Sequence, residues 1–403
     1  MNKSFFANFR NNDYQRDNFD SFTKAIHFDF HIKCIHIAGS NGKTSVANFL
    51  AGAYQGAGYK VGLFTSPFLY HINEMIKINS QDISDDDFTA IYNKYKKEIQ
   101  KHDLSTFEVE TFVALTYFQN NNCNIAIIEC GMGGEIDATN IVYPILSIIT
   151  SISLEHTEFL GYTISEISSQ KAGIIKENAP ILLPDLSEDA MKVISDIAKF
   201  NDSKICYLGH YVHEEYSDLG YSFEYGEFGK IEISSLAKYN IENCVMALEA
   251  LTVLKEQLPF DIEKVKEGIK KVVLPCQCEV IHNNPLVIID GARNPEGIKK
   301  FCDVSLLKLI KERPIHVIFA CCKDKNLSGL LAVIGEITND LTLTTFDNPN
   351  AREEDEYFLF LEDYQFSKDA KQLLLDKMNE FPDDCIIITG SLAFVTYMRT
   401  LLK

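Results

Sequence analysis

No apolar run in this chain approaches the roughly 18–20 residues that a membrane-spanning helix needs, although 46% of its 403 residues are hydrophobic. The sequence therefore reads as a soluble globular protein. Positive charge is also scarce: Lys and Arg total 38 against 57 Asp and Glu, a net charge of −19, which opposes sequence-independent binding to a polyanion. Nucleic acid is excluded as an expected partner, whereas a small anion can still be held by a helix N-terminus and a few local cations. The eleven cysteines form no CxxC pair and run from Cys34 to Cys385, several inside apolar stretches such as Ile125–Cys130 and Phe319–Cys322. Cys276/Cys278 and Cys321/Cys322 are close in sequence but lack zinc-site spacing, so they read as reduced core residues. Internal repeats, low-complexity tracts and long charge blocks are missing too; Asp85–Asp87 and Glu353–Glu356 read as solvated faces. The first residues, MNKSFFANFRNNDYQRDNF, contain no apolar stretch of signal-peptide length, and the cytoplasm is the expected location.

What is present is an alternation of short β-branched runs with longer helical patterns, the mark of an α/β protein. A first series of expected strands comprises Cys34–Ala38, Val61–Thr65, Ile125–Cys130, Ile145–Ile152, Ile181–Leu183 and Lys204–Leu208. A second comprises Leu286–Asp290, His316–Cys321, Leu341–Phe346 and Cys385–Thr389. Between them Ser234–Lys271 reads as helical and Leu274-Pro275-Cys276-Gln277 as irregular, which places a domain boundary between residues 273 and 274. Two domains agree with a prior of roughly 100–200 residues each.

The segment Ile35-His36-Ile37-Ala38-Gly39-Ser40-Asn41-Gly42-Lys43-Thr44-Ser45 reads as a strand, a glycine-rich turn and a helix from about Val46. Glycines let the backbone fold tightly, so that successive N–H groups and the helix N-terminus face a phosphate chain, while Lys43 supplies a compact charge. Only Ser40 and Asn41 separate Gly39 from Gly42, where the generic phosphate loop has four residues, so this is a shortened variant. A plain turn with a surface lysine would not bring strand, loop, lysine and hydroxyls together. ATP is the expected ligand.

Asn124–Gly134 reads as a buried strand ending in Glu129 and a glycine-rich turn. Ligands of open α/β sheets collect at the carboxyl ends of strands, so Glu129 should face the same crevice as the phosphate loop. There it either holds the Mg²⁺ that accompanies ATP or accepts hydrogen bonds from loop amides. Thr150–Thr157 offers His156, which taken alone is as readily a structural residue, and Ser66 follows Val61–Thr65 with a hydroxyl at a comparable edge. Fifteen residues beyond His156 comes Gln170-Lys171-Ala172-Gly173-Ile174-Ile175-Lys176, in which Lys171 out of context is a surface lysine.

In this order the segments resemble the folylpolyglutamate synthase family, including its bifunctional dihydrofolate synthase members, within the Mur-ligase superfamily. The likeness runs from Ile35 to Leu402 and rests on Gly39–Ser45, Thr65–Pro67 with Glu74, Phe107-Glu108, Glu129–Gly134 with Asp137–Asn140, Leu154–Gly161, Lys171–Ile175, Asp290–Pro295 and Thr389–Leu392. It implies a phosphate-loop, Mur-ligase-like domain with a mostly parallel sheet over residues 1–273 and a smaller Rossmann-like α/β domain over 274–403. The implied activity is ATP-dependent: a substrate carboxylate takes the γ-phosphoryl group, then the amine of L-glutamate attacks the acyl phosphate. The acceptor is a tetrahydrofolate or folylpolyglutamate, with dihydropteroate as a further candidate. Carried over by position, Gly39, Ser40, Asn41, Gly42, Lys43 and Thr44 bind phosphates, Ser45 binds a first Mg²⁺, and Ser66, Glu129 and His156 hold a second. Lys171 matches a lysine that family members carbamylate, and Asn243, Asp290 and Arg293 fall at nucleotide-facing positions. Lys43, Glu129, His156 and Lys171 form the implied catalytic set of a monomeric enzyme with small-molecule substrates only.

Departures from the family pattern fall mostly away from the phosphate and metal positions. Gly-Arg before the second domain is Cys276-Gln277, Asp-Gly-Ala-His-Asn-Pro reads Asp290-Gly291-Ala292-Arg293-Asn294-Pro295, and the arginine of Gly-Gly-Arg is Glu135. Ser-Pro-His becomes Ser66-Pro67-Phe68, Glu-Arg becomes Glu74-Met75, His-Gln becomes Tyr239-Asn240, and Asp-Lys-Asp becomes Asp324-Lys325-Asn326. Two other readings stay open: a related amide ligase acting on a non-folate carboxylate, and a catalytically weakened nucleotide-binding homologue. Peptidoglycan-precursor ligases fit less well, because only 38 residues precede Gly39.

Overall fold

The structure is a computed structural model that describes residues 16–302 and 309–401. Residues 1–15, read above for a signal segment, and Leu402, the end of the family likeness, lie outside the described residues. The chain divides into two compact units: one comprises residues up to Val212, Glu224–Ile231 and Asn243–Val272, the other His213–Phe223, Glu232–Glu242 and residues from Val273 onward.

The first unit is built on an eight-stranded sheet of β1 (Cys34–Ala38), β2 (Val61–Phe64), β3 (Ile76–Ile78), β4 (Gln81–Asp82), β5 (Ile125–Glu129), β6 (Leu146–Ile149), β7 (Ile181–Leu183) and β8 (Ile205–Tyr207), in the order β4-β3-β2-β5-β1-β6-β7-β8. Only β3 and β4 run antiparallel to their neighbours. Every residue of β1 and β5 is buried, which is why these strands read as continuous apolar runs: a parallel sheet covered on both faces has no polar side. Helices α1 (Asp17–Ala25), α2 (Lys43–Gly56), α3 (Asp85–Lys101), α4 (Thr106–Asn120), α5 (Thr157–Leu160), α6 (Ile164–Ala172) and α7 (Glu188–Phe200) flank the sheet in sequence. Phe19 and Phe22 of α1, Phe88 of α3 and Phe112 of α4 join one apolar cluster with Ala126 and Ile128 of β5, while Ile194 of α7 packs with Ala38 and Ile149 in another. Ser105 and Glu108 close a reciprocal capping box that starts α4.

The strands β9 (Val212–Ser217), β10 (Gly220–Tyr225) and β11 (Gly229–Ile233) form a small sheet in the order β11-β10-β9, followed by α8 (Tyr239–Leu254) and α9 (Ile262–Lys270). The second unit carries β12 (Glu279–Asn283), β13 (Leu286–Ile289), β14 (Ile315–Phe319), β15 (Leu341–Thr344), β16 (Gln365–Ser367) and β17 (Cys385–Thr389), in the order β12-β13-β17-β14-β15-β16. All neighbours in it are parallel except β12 with β13. The helices α10 (Pro295–Phe301), α11 (Leu327–Ile334), α12 (Ala370–Glu380) and α13 (Leu392–Leu401) alternate with these strands. The protein is thus an α/β protein with two mostly parallel sheets, as its alternating pattern implies.

Three differences from the sequence reading have local causes. The expected strand Ile145–Ile152 shortens to β6 because Thr150–Ser153 leave the ladder to bond the turn that follows β1. The helix expected from about Val46 begins at Lys43, since Gly42 adopts φ 87° and its carbonyl already accepts the Val46 N–H. Ser234–Lys271 is two helices, separated at Pro259 and restarted by Asp261, whose carboxylate accepts the Lys264 N–H at 3.1 Å. Among the described residues no helix is long and apolar enough to cross a membrane, and all eleven cysteines are free thiols.

Candidate active site

In the first unit β1 lies between β5 and β6, and the loops at the carboxyl ends of these strands meet at one edge. The turn after β1 is fastened to the segment after β6. Ser40 N donates to Ser151 O at 3.0 Å, Asn41 N to Ser151 Oγ at 2.8 Å, and Thr150 Oγ1 to Asn41 O at 2.6 Å. The glycines answer to close approach: a Cβ on Gly39 would stand 2.0 Å from Thr150 Oγ1, and one on Gly42 2.5 Å from Asn243 Oδ1. Asn243, on α8, is thereby brought against the turn. Lys43 is buried, and its Nζ folds back to donate to Gly39 O at 2.6 Å and Ser40 O at 3.4 Å. A cation is therefore held over the turn where a phosphate chain would lie.

Glu129 closes β5 and is 1% exposed. Thr44 Oγ1 donates to its carboxylate, and Ser66 N approaches Oε2 at 3.3 Å, so α2 and the loop after β2 converge on the same acid. Ser45, singled out above as the metal-binding hydroxyl, is buried one residue further along α2. Thr44, read above as a phosphate contact, reaches Glu129.

His156 caps α5 in the left-handed region, with φ 46°. Glu155 beside it forms an ion pair with Lys171, Nζ to Oε1 2.8 Å, with Lys171 1% exposed in the last turn of α6. Burial works against the Glu155 charge, but Lys171 and Lys43 outweigh it and hold the carboxyl down at about 2. Burial lowers the pKa of Lys171 despite its partner, and Lys43 adds to that lowering. Lys43, Glu155 and Lys171 are one electrostatic group. Thr44 was read from the sequence as a phosphate contact and not as a partner of Glu129; Glu155 was missed, although it could have been found as the acid that directly precedes His156.

The second unit gathers the remaining candidates around Asp290, at the end of β13. Its carboxylate accepts from Tyr239 OH at 2.9 Å, Cys278 N at 2.9 Å and Ala292 N at 2.8 Å, and burial raises the carboxyl to about 6. Arg293 is half-buried on the turn that follows, and Asn294 caps α10 through Gly297 N at 2.7 Å. The unusual residues at 239, 240 and 277 are engaged with their surroundings. Tyr239 bonds Asp290, and the fully buried Asn240 donates to Gln277 Oε1 at 3.0 Å.

Comparison with known proteins identifies the family. The profile of the Mur ligase middle domain matches residues 37–251. The dihydrofolate synthase/folylpolyglutamate synthase of Bacillus subtilis is 31% identical over 92% of this chain and 91% of its own length. The chain belongs to the folylpolyglutamate synthase family of Mur ligases. The folylpolyglutamate synthase of Lacticaseibacillus casei is 29% identical over 91% of this chain and 89% of its own. The folylpolyglutamate synthase of Mycobacterium tuberculosis, solved with ADP and AMPPCP, superposes with a TM-score of 0.87 over 96% of this chain and 95% of its own at 24% identity, a likeness of fold. The folylpolyglutamate synthase likeness thus spans both units. Against the family pattern, Phe68 is 44% exposed beside Ser66, and Glu135 has its backbone N–H on Gln170 O at 2.7 Å and its carbonyl on Arg16 Nη1 at 3.4 Å.

Proposed function

We propose that this protein is an ATP-dependent, amide-forming ligase that joins L-glutamate to the γ-carboxylate of a tetrahydrofolate or folylpolyglutamate. The observation that carries the reading is the coupling of the two anion-handling parts: Lys43 sits over the phosphate turn while Thr44, the next residue, bonds Glu129. The turn Gly39–Gly42, with the N-terminus of α2 and Lys43, binds the nucleotide phosphates and orients the γ-phosphoryl group toward the acceptor carboxylate. Phosphoryl transfer releases ADP and leaves an acyl phosphate; the glutamate amine then displaces inorganic phosphate and forms the amide. We assign the phosphate-binding machinery to residues 1–273, with Asn243 against the turn, and read Asp290 and Arg293 of residues 274–403 as nucleotide-facing residues by their positions in the family pattern. Dihydropteroate is a second acceptor in this reading, and the enzyme is a cytoplasmic monomer.

In this reading the magnesium donors are the Glu129 carboxylate, the hydroxyls of Ser45 and Ser66 and the His156 imidazole, with water and phosphate oxygens completing the oxygen-rich coordination that magnesium takes. Ser45 would hold a first ion, and Ser66, Glu129 and His156 a second; when bound, such ions neutralise charge on the transferring phosphoryl group. Lys171, cationic in its pair with Glu155, becomes an anion if carbamylated, a reaction of the neutral amine that its burial favours.

The test is glutamate-dependent release of ADP and phosphate with tetrahydrofolate and its polyglutamates. Stimulation by a folate is the expected result; none with any folate, from a protein that still binds ATP, rejects the reading. A related ligase with a non-folate acceptor is favoured by the exposed Phe68 and by Glu135 and Arg293, and a panel of pteroate and other acyl carboxylates separates it. A nucleotide-binding homologue without turnover is favoured by the neutral Asn240–Gln277 pair and predicts ATP affinity with no amide product.

A further inference from the structure

We propose that His36 is a positioning residue of this site: a neutral imidazole whose Nε2–H, acting through Thr139 and Cys130, fixes the turn Gly131–Gly134 that follows Glu129. This inference rests on the ligase reading above. His36 is the third residue of β1 and wholly buried. Its Nε2 lies 2.8 Å from Thr139 Oγ1 and 3.1 Å from Cys130 Sγ. The proton positions follow from the partners. The Asp137 carboxylate accepts from Met132 N at 2.8 Å, Thr139 N at 2.9 Å and Thr139 Oγ1 at 2.5 Å. Thr139 has one hydroxyl proton and points it at Asp137, so it must accept from His36, and Nε2 carries the hydrogen.

The other ring nitrogen, Nδ1, is buried with no hydrogen-bonding partner among the described residues. An orphaned acceptor is a burden that an apolar side chain of similar shape would not carry, so packing does not explain a histidine here. What the ring does is reach Cys130, the residue directly after Glu129. Cys130 is anchored to β1 twice, by N–H to Ile37 O at 2.9 Å and by Sγ to His36. The strand that leads into the phosphate turn therefore also sets the chain that leaves Glu129. The geometry is independent of any bound group.

Two substitutions separate this role from packing. Gln places an amide nitrogen where Nε2 stands and keeps the donor; Asn places it near Nδ1 and loses the donor. Both remove the ring from the core, so both should lower thermal stability. In His36→Gln, kcat/KM with tetrahydrofolate and glutamate should stay within about threefold of the wild type, whereas His36→Asn should lose about tenfold or more, with AMPPNP affinity changed less than about threefold in either. Equal losses in the two variants, or nucleotide affinity falling along with activity, would overturn the proposal. If the wild type turns over no folate, the ligase reading fails by itself. Amide exchange then decides: Met132 and Thr139 exchanging faster in His36→Asn than in His36→Gln supports the positioning role, and equal exchange refutes it.

Discussion

The hydroxyl of Thr44 lies 2.9 Å from one oxygen of Glu129 and 3.0 Å from the other, joining the first turn of the phosphate helix to the end of the neighbouring strand. A hydroxyl between two carboxylate oxygens orients the acid without adding charge, and a hydrogen bond to a charged group is worth about 1.5–3 kcal/mol. Thr44→Val keeps the shape and removes the donor. We expect kcat/KM to fall about 10–100-fold and the Mg²⁺ concentration for half-maximal activity to rise. Steady-state kinetics over a Mg²⁺ titration checks it, and an unchanged Mg²⁺ requirement would show that Thr44 does not orient Glu129 for a metal.

The Glu155–Lys171 pair gives a stability prediction. Removing one partner of a buried ion pair leaves an uncompensated charge and costs about 3–5 kcal/mol, while replacing both with neutral groups costs much less. Glu155→Gln should therefore destabilise strongly, and Glu155→Gln combined with Lys171→Met should recover most of the loss in urea unfolding while remaining inactive. The pH dependence has a definite sign. The Glu155 carboxyl is held below its ordinary 4.5, at about 2, so its stabilisation is complete above about pH 4.5 and disappears as pH falls toward 2. The gap between the wild type and Glu155→Gln should narrow in that acid window; a constant gap would mean that the pair is not the cause.

Much of this fold was legible because parallel strands buried on both faces leave continuous apolar runs, as in Cys34–Ala38 and Cys385–Thr389, which match the observed strands residue for residue. The strands that escaped are mostly short or exposed: β3 and β4 at a sheet edge, the small sheet from Val212 to Ile233, β12 and β16. Local sequence carries little signal where a strand buries few residues. The candidate site shows the same division. Lys43 and Glu129 sit at the start of a helix and the end of a strand, where the chemistry is local, and Asn243 on α8 came only from the family resemblance, whereas the Thr44–Glu129, Glu155–Lys171 and His36–Thr139 contacts join residues 85, 16 and 103 positions apart, and only the folded chain brings them together.

Glu110 supplies a test on pH. It is buried in α4 with no hydrogen-bonding partner among the described residues, and burial pushes its carboxyl up to about 8. A raised pKa favours the protonated form in the folded state, so the associated stability is fully present below about pH 4.5 and is lost as pH rises through about 8. The limiting slope is about 1.4 kcal/mol per pH unit. Glu110→Gln cannot ionise, so its advantage over the wild type should grow from pH 5 to 8 and then level off in thermal melts. Parallel curves for the two proteins would show that Glu110 already has a compensating partner.

Gly42 tests whether the turn after β1 holds a nucleotide. Its φ of 87° strains any residue with a Cβ, by roughly 1–2 kcal/mol, and a Cβ there would also stand 2.5 Å from Asn243 Oδ1. Gly42→Ala must therefore displace Asn243 or rotate the peptides of the turn proposed to hold the phosphates. We expect AMPPNP affinity to fall about tenfold or more, with only a modest drop in melting temperature, because the turn is a small part of the folded core. Adding Asn243→Ala removes the collision but not the backbone strain, so the double variant should regain part of the fold while still binding nucleotide weakly, Asn243 itself being a proposed contact. Calorimetric titration of both variants separates the outcomes. Wild-type affinity in Gly42→Ala would remove the turn from the nucleotide site, and with it the role proposed for Lys43.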